Sequence, residues 1–333
     1  MSNVDVPTES CLRLIPEPII KPVILGLNFL ADEHRALIAQ HYEFIYAPEA
    51  AERHDAIATH GARVDAVLTI GSVGLTEQEI AAMPRLKLIS ALGAGFERID
   101  VAAAQAKQIP VTNGAGTNDV CVADHAFALL LGAVRDIPEL DRLTRAGVWR
   151  TAIPVKPGVS NKRLGILGLG TIGRHIARRA QAFDMQIGYH NRRARDDAPG
   201  FTYFDSVLAL AEWADFLVVA TPGGAQTQHL VGAAVLKALG PTGYLVNIAR
   251  GSVVDTDALA QALKSGAVGG AGLDVYESEP DAPAVLLDCP HVVLTPHVAG
   301  WSPEAIDATI TCFLGNVERL LGKQPLVNQV SHA

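Results

Sequence analysis

Short apolar runs alternate with helical patterns along most of the chain. In the first third, the apolar runs predict strands, and the stretches between them, such as Ala31–His41 and Thr76–Met83, predict helices. This alternation is typical of a doubly wound sheet of parallel strands. The predicted strands of this first part are Pro22–Leu27, Phe44–Tyr46, Ala66–Thr69, Leu88–Ser90 and Pro110–Thr112.

A second alternating pattern follows a long predicted helix, from about Val120 to Arg135, that is rich in alanine and leucine. Its six apolar runs match the order of elements in a dinucleotide-binding domain. A last helix is predicted over about Ser302–Leu321, after the final run. The six runs are Leu164–Leu167, Gln186–Tyr189, Phe216–Ala220, Tyr244–Ile248, Gly270–Asp274 and Val292–Leu294.

Together these patterns predict an α/β fold of two doubly wound parallel-sheet domains with a cleft between them. We expect residues 1–117 and 298–333 to form a substrate-binding, catalytic domain. Residues 118–297 are expected to form a Rossmann dinucleotide-binding domain. The chain would then cross between the domains near Gly116–Asp119 and again near His297–Trp301.

Composition narrows the class of protein. The 333 residues are 49% apolar and 19% charged with a net charge of −8, and no basic stripe predicts a nucleic-acid partner. Residues 1–20 are expected to be a loose tail without the apolar core of a signal peptide, and no apolar run reaches membrane-spanning length. Neither a disulfide framework nor a metal site is expected from four scattered cysteines, so a cytoplasmic location is predicted. They are Cys11, Cys121, Cys289 and Cys312.

The most specific local motif is a glycine-rich turn between a strand and a helix. It reads Gly168-Leu169-Gly170-Thr171-Ile172-Gly173 and stands between the run Leu164–Leu167 and a helical stretch, Arg174–Phe183. A second apolar run, Met185–Tyr189, follows that stretch. G-x-G-x-x-G in this setting is typical of a dinucleotide site, whose pyrophosphate binds at the positive amino terminus of the helix.

The end of the second strand bears on the choice of cofactor. An NAD site usually carries Asp or Glu there, to bind the ribose 2′-hydroxyl. This chain reads His190-Asn191-Arg192-Arg193, with no carboxylate until Asp196. Two guanidinium groups match a 2′-phosphate, which favours NADPH over NADH, although both could also belong to a solvated loop.

Three polar residues stand just past predicted strand ends, where ligands bind in open α/β sheets. They are Arg250, Glu279 and His297. A histidine can protonate a carbonyl oxygen as a hydride arrives at the carbon, and a neighbouring carboxylate raises its pKa. An arginine can bind a carboxylate and polarise the adjacent carbonyl. Each residue alone could be structural, and Glu277 competes with Glu279 for the carboxylate role.

These residues lie in segments that resemble the signatures of the D-isomer-specific 2-hydroxyacid dehydrogenases. The resemblance extends from about Pro22 to Leu321. The arginine segment reads Asn247-Ile248-Ala249-Arg250-Gly251-Ser252-Val253-Val254-Asp255. The glutamate segment reads Gly272-Leu273-Asp274-Val275-Tyr276-Glu277-Ser278-Glu279-Pro280, and the histidine segment reads Pro296-His297-Val298-Ala299-Gly300.

The resemblance implies a role for each member of the triad. Arg250 would bind the substrate carboxylate and carbonyl, His297 would be the acid/base, and Glu279 would orient it. Because the family carries this Glu directly before Pro, the resemblance favours Glu279 over Glu277. It also implies a homodimer built largely through the cofactor domains.

The same resemblance assigns several loops to the ligands. In the loop Gly93-Ala94-Gly95-Phe96, the amides of Ala94 and Gly95 would bind the substrate carboxylate, and Val73-Gly74 would line the same pocket. Asp274 would face the nicotinamide carboxamide and Thr221-Pro222 the adenosine side. The other positions expected around the cofactor are Ile248, Ala249, Arg250, His297 and Gly300.

Within the family, the arginine pair and the chain length resemble the glyoxylate/hydroxypyruvate reductases. Trp301 stands where many relatives carry a small residue or Thr, and Phe96 is also bulky. They could narrow the pocket for small 2-oxo acids, or stack on an aromatic one, as in hydroxyphenylpyruvate reductases. Trp301 could instead pack between the two lobes.

Other readings are a phenylpyruvate reductase, a phosphoglycerate dehydrogenase and a nucleotide-sensing corepressor of the same fold. Phosphoglycerate dehydrogenases often prefer NAD and carry a C-terminal regulatory domain, which we do not expect in a chain ending at Ala333. Formate dehydrogenases have Gln where this chain has Glu279. A corepressor keeps the triad, so only turnover distinguishes it from an enzyme.

Overall fold

The computed structural model describes residues 21–330 and contains two separate sheets of parallel strands. The expected loose tail, residues 1–20, lies outside the described residues, and so does Cys11. The strands of the first sheet are β1 (Val23–Gly26), β2 (Glu43–Tyr46), β3 (Ala66–Ile70), β4 (Leu88–Leu92) and β5 (Val111–Asn113). Their order is β2-β1-β3-β4-β5, and every pair is parallel.

Four helices connect the strands of this sheet. At the start of the third of these helices, the Thr76 side chain accepts from the Glu79 amide, and the Glu79 carboxylate accepts from the Thr76 amide, so two amide groups without a helical partner are satisfied. The helices are α1 (Asp32–His41), α2 (Ala50–His60), α3 (Glu77–Ala81) and α4 (Val101–Ala106).

The second sheet has seven strands in the order β12-β11-β10-β9-β6-β7-β8, all parallel. The edge strand, β8, has two residues and was not predicted, because so short a segment carries no periodic pattern. The strands are β6 (Arg163–Leu167), β7 (Gln186–His190), β8 (Thr202–Tyr203), β9 (Phe216–Val219), β10 (Tyr244–Asn247), β11 (Gly270–Leu273) and β12 (Val292–Leu294).

The remaining helices carry the chain around and between the sheets. They are α5 (Asp119–Val134), α6 (Ile137–Arg145), α7 (Thr171–Gln181), α8 (Val207–Trp213), α9 (Ala233–Leu239), α10 (Thr256–Ser265) and α11 (Pro303–Leu321). Helix α5 packs on α7, β10 and β11 of the second sheet. Helix α11 returns to the first sheet, where it packs on β4 and α1.

Burial explains why the strands read as continuous apolar runs. All four residues of β1 and all four of β9 are buried, as expected for parallel sheets covered by helices on both faces. Between the lobes the chain crosses twice, from β5 to α5 and from β12 to α11. The predicted class, two doubly wound α/β domains, is confirmed. The domain boundaries at residues 117/118 and 297/298 stay a prediction.

Two further observations concern the described part of the chain. Within residues 21–330, no helix combines the length and apolar character needed to cross a membrane. The cysteines at positions 121, 289 and 312 are free thiols, with Cys289 buried.

Candidate active site

The glycine-rich turn joins the end of β6 to the start of α7. Gly168 has a φ of +101°, which favours glycine, and a Cβ on it would lie 2.7 Å from the Ala220 carbonyl oxygen. A Cβ on Gly170 would meet nothing within 4 Å, so a ligand can approach the backbone there. Gly173 packs directly on the Gly168 carbonyl. These are the features that a bound pyrophosphate requires, so the turn fits a dinucleotide.

Asn191 ties this turn to the end of β7. Its side-chain oxygen accepts a hydrogen bond from the Leu169 amide over 2.7 Å. The amides of Thr171 and Ile172, in the first turn of α7, donate to no acceptor recorded within residues 21–330. They are therefore available to an anionic ligand.

The two arginines that follow Asn191 are exposed. In the described part of the chain, neither Arg192 nor Arg193 pairs with a carboxylate, although Arg174 and Arg195 both pair with Asp197. Hydrogen bonds from Arg195 and Arg174 hold the pKa of the Asp197 carboxyl well below its usual range. The guanidinium groups of Arg192 and Arg193 are therefore open to solvent in the described part of the chain.

His297 and Glu279 form the pair that the sequence predicted. The Nδ1 atom of His297 lies 2.8 Å from Glu279 Oε2, and the other oxygen of Glu279 accepts from the Tyr276 amide over 2.8 Å. His297 has a φ of +55°, in the left-handed region, and its amide donates to the Asp274 carbonyl oxygen over 2.8 Å. Because Nδ1 faces Glu279, Nε2 is the ring atom free to exchange a proton with a ligand.

Each member of the pair changes the pKa of the other. The hydrogen bond to Glu279, and then its charge, raise the pKa of His297 although burial opposes this. Burial works against ionisation of Glu279, but hydrogen bonds from His297 and the Tyr276 amide outweigh it and lower the pKa of the carboxyl. The pair therefore favours imidazolium beside carboxylate, which is the state that can donate a proton.

Asp274 holds the backbone of the segment that follows His297 through hydrogen bonds to its carboxylate. The residue is fully buried, and its carboxylate accepts from Thr295 Oγ1 over 2.6 Å and from the Val298 and Ala299 amides over 2.9 and 2.8 Å. Burial opposes ionisation, yet hydrogen bonds from His125, Thr295 and these amides lower the pKa of Asp274. The contact with the nicotinamide stays a prediction, and the structure adds this backbone role.

Thr295 and His125 are site residues that the sequence reading missed. His125 Nε2 lies 2.9 Å from Thr295 Oγ1 and 3.5 Å from Asp274 Oδ1. His125 stands on α5, far from Asp274 in the sequence, so no local pattern marks it. Tyr276 was also missed: its hydroxyl lies 2.7 Å from the Thr295 carbonyl oxygen and 2.9 Å from that of Leu273, and its single proton can be donated to either.

Arg250 extends from the second lobe toward the first. Its Nε donates to Glu97 Oε1 over 2.7 Å, and its Nη1 donates to the Ala249 carbonyl oxygen over 2.5 Å. Its Nη2 lies directly against the position that a Cβ on Gly95 would occupy, so a larger residue at position 95 would displace the guanidinium. The structure thus brings the predicted carboxylate-binding arginine against the predicted carboxylate-binding loop.

That loop follows β4. In the described residues, the amides of Ala94 and Gly95 donate to no recorded acceptor, which leaves both free for an anion. Phe96 is half-buried and packs against the apolar core of the first sheet, and its expected place at the substrate pocket stays a prediction. It also borders a groove of about 320 Å³ with Asn113 and Val330.

The second predicted substrate loop has no free amide to offer. The Val73 and Gly74 amides both donate to the Ile70 carbonyl oxygen, over 3.1 and 2.8 Å. The Gly74 carbonyl oxygen accepts from Thr69 Oγ1 over 2.9 Å and from Arg53 Nη2 over 3.2 Å. The Val73 side chain, 36% exposed, is what this turn presents to solvent.

Trp301 lies in the crossing between β12 and α11 and is 61% exposed, which argues against tight packing between the lobes. Nearby, a Cβ on Gly300 would lie 2.6 Å from Asn118 Nδ2, so the two crossings meet there. Thr221-Pro222 follows β9 beside Gly168, and Ile248-Ala249 follows β10 beside Arg250. All four stand at the carboxyl ends of strands, and their contact with the cofactor stays a prediction.

The chain is similar to known proteins over nearly its whole length. Residues 127–299 match the family model described as D-isomer specific 2-hydroxyacid dehydrogenase, NAD binding domain. Hydroxyphenylpyruvate reductase of Plectranthus scutellarioides is 38% identical over 86% of this chain and 91% of that protein. Glyoxylate/hydroxypyruvate reductase A of Arabidopsis thaliana is 38% identical over 84% and 89%. The solved structure of an NADPH-dependent glyoxylate/hydroxypyruvate reductase from Sinorhizobium meliloti, in complex with NADP and malonate, superposes with a TM-score of 0.85 at 35% identity, covering 93% and 97%.

Proposed function

The chain belongs to the D-isomer-specific 2-hydroxyacid dehydrogenases, an enzyme family, and from this we propose that it reduces small 2-oxo acids, above all glyoxylate and hydroxypyruvate, to 2-hydroxy acids with NADPH. The single observation that carries the proposal is the hydrogen-bonded pair of His297 and Glu279 at the carboxyl edge of the sheet that bears the dinucleotide turn. Reductases of glyoxylate and hydroxypyruvate among the relatives support the substrate class.

Each residue of the site has a separate role in the proposed reaction. Arg250 and the free amides of Ala94 and Gly95 bind the substrate carboxylate, which fixes the neighbouring carbonyl. NADPH, when bound, supplies the hydride. The Nε2 proton of His297 goes to the carbonyl oxygen, and Glu279 stabilises the imidazolium before transfer and orients the ring. In the reverse direction neutral His297 takes the proton back.

The preference for NADPH is supported by charge. Arg192 and Arg193 are exposed directly after β7 and have no carboxylate partner in the described residues. Their guanidinium groups match a 2′-phosphate in charge and geometry. Asn191, which an NAD site would replace with a carboxylate, instead holds the Leu169 amide.

We also propose a homodimer formed through the cofactor-binding domain, with domain limits at residues 117/118 and 297/298. Helix α6 contributes no buried residue in the single chain, although it contains apolar positions. Three large apolar side chains on or after it are exposed, which is typical of a surface covered by a partner. They are Ile137, Trp149 and Val155.

A second candidate is the reduction of aromatic 2-oxo acids. Two observations favour it: the 61% exposure of Trp301, whose ring is available for stacking, and the relative described as hydroxyphenylpyruvate reductase. In this reading, Trp301 would bind the aromatic ring of the substrate instead of restricting the pocket.

The test is a panel of glyoxylate, hydroxypyruvate, pyruvate and phenylpyruvate, each assayed with NADPH and with NADH. The His297→Asn variant is the matched control, and it should reduce kcat/KM by about 10²–10⁴-fold, the usual contribution of a general acid. NADPH binding by this variant should change little. Absence of turnover with every substrate would contradict the proposal and favour a nucleotide-sensing protein of the same fold.

A further inference from the structure

An ion pair near the site joins the two lobes. Glu97 follows the loop of the first sheet that carries Ala94 and Gly95, and Arg250 follows β10 of the second. Glu97 Oε1 lies 2.7 Å from Arg250 Nε. We propose that Glu97 is a positioning residue, which orients the Arg250 guanidinium toward the substrate carboxylate. This inference rests on the proposed function for the role of Arg250, but not for the contact itself.

The guanidinium is held on three sides. The Glu97 carboxylate accepts a hydrogen bond from Nε, and the Ala249 carbonyl oxygen accepts one from Nη1. The aliphatic part of the side chain packs on Gly223, where a Cβ would lie 2.8 Å from Arg250 Cγ. Only Nη2 has no acceptor recorded within residues 21–330, and it lies against Gly95. Fixing two nitrogens in this way directs the third at the loop whose amides are free.

The negative charge of Glu97 could also oppose binding of the substrate carboxylate. Glu97 Oε2 lies 2.7 Å from the Cβ position of Gly95, so its negative charge is close to the expected substrate carboxylate. Like charges at this distance repel, and Glu97 would lower substrate affinity if it only competed for Arg250. If Glu97 positions Arg250, its removal should lower kcat/KM. If Glu97 only competes with the substrate, its removal should lower KM, so the Glu97→Gln variant distinguishes the two roles.

The pair is not expected to stabilise the fold much. The Arg250 and Glu97 side chains are 31% and 45% exposed, and ion pairs so open to solvent contribute little to stability. Loss of Glu97 should therefore affect catalysis while the thermal midpoint stays nearly unchanged. This makes the variant interpretable.

The experiment compares Glu97→Gln, Glu97→Asp and the wild type with glyoxylate and NADPH. Glu97→Gln should lower kcat/KM by roughly ten- to a hundredfold, the loss expected for one charge-assisted hydrogen bond. Both KM and kcat should change, and Glu97→Asp should restore part of the loss. Glu77→Gln is the matched control, because Glu77 is exposed on α3 and has no side-chain contact recorded in the described residues. It should behave like wild type.

A second measurement does not need turnover. The rate at which phenylglyoxal modifies Arg250, followed on the peptide by mass spectrometry, should rise in Glu97→Gln because the guanidinium is no longer held. If wild type reduces no 2-oxo acid, the proposed function fails, and this labelling still tests the contact. Unchanged labelling would overturn the positioning role. So would an unchanged kcat/KM or a lower KM in Glu97→Gln, the latter meaning that Glu97 is a competitor for Arg250.

Discussion

Glu277 and Glu279 stand two residues apart on one loop, and their carboxylates are held by different partners. Glu279 accepts from His297 and from the Tyr276 amide. Glu277 lies 2.7 Å from His229 Nε2 and accepts from Thr256 Oγ1 over 2.5 Å. One carboxylate of the loop therefore contacts the proposed acid/base histidine, and the other connects the loop to His229 and to the start of α10 at Thr256.

The first prediction concerns the pH dependence of reduction. Glu279→Gln should move the upper limb of the pH profile of kcat/KM to lower pH. Reduction requires imidazolium, so activity falls as the pH rises above the pKa of His297, which the Glu279 hydrogen bond and charge raise. Without the carboxylate, the pKa of His297 should fall back toward the ordinary value for histidine, because burial then opposes the charged form without compensation.

Glu277→Gln is the matched control for this measurement. It removes an equal charge from the same loop, but Glu277 is bonded to His229 and Thr256 and not to His297. Its upper limb should coincide with that of wild type. If the upper limb does not shift in Glu279→Gln, or shifts only in Glu277→Gln, then Glu279 is not the carboxylate that raises the pKa of His297, and Glu277 becomes the candidate.

The triad could be predicted from the sequence for a physical reason. Parallel strands all end at one edge of a sheet, so polar residues just past β10, β11 and β12 must come together whatever their distance along the chain. Arg250, Glu279 and His297 obey this rule. The choice between Glu277 and Glu279 could not be made by it, since both follow β11, and it needed the family resemblance.

Other parts of the site could not be predicted, because they depend on how the two lobes meet. Glu97 contacts Arg250 across 153 positions in the sequence. His125 reaches Asp274 from a helix whose sequence reads only as apolar core. The sequence also does not indicate that Phe96 is half-buried against the core of the first sheet, because the direction of one side chain on a turn depends on local backbone angles.

The second prediction concerns the cofactor. The double variant Arg192→Ala/Arg193→Ala should lower kcat/KM for NADPH and leave kcat/KM for NADH nearly unchanged. Each lost contact should cost about 1.5–3 kcal/mol, the range for hydrogen bonds to charged groups. The measurement is kcat/KM for both cofactors. Arg195→Ala is the matched control, because Asp197 already neutralises that guanidinium. A wild type that prefers NADH, or a double variant with an unchanged ratio, would contradict the reading.

The third prediction concerns stability. Asp274→Asn should lower the free energy of unfolding by roughly 1.5–3 kcal/mol, because a buried carboxylate that accepts from Thr295 and from two amides is replaced by a neutral amide. Denaturant unfolding measures this value. Thr295→Ser, which keeps the hydroxyl donor to Asp274, should cost much less. Equal stability of Asp274→Asn and wild type would show that the carboxylate does not support the His297 segment.

The last prediction concerns substrate size and tests Trp301, the more exposed of the two bulky candidates. Phe96 is half-buried against the core of the first sheet, whereas the 61% exposure of Trp301 leaves its ring free to contact a substrate. Arg250, Ala94 and Gly95 bind the carboxylate common to all 2-oxo acids, so discrimination must come from the group beyond the carbonyl. If Trp301 restricts the pocket, wild type should prefer glyoxylate and hydroxypyruvate over phenylpyruvate.

Trp301→Ala should then narrow that preference. A change of pocket volume of this kind is worth roughly 1–3 kcal/mol, or about 10–200-fold in the ratio of kcat/KM values. Trp301→Phe is the control, because it keeps an aromatic ring of intermediate size and should fall between the two. The opposite result is equally clear: a wild type that prefers phenylpyruvate, and loses it in Trp301→Ala but keeps it in Trp301→Phe, would mean that the indole is a stacking surface. The enzyme would then be a reductase of aromatic 2-oxo acids, with the carboxylate site and the acid/base pair unchanged.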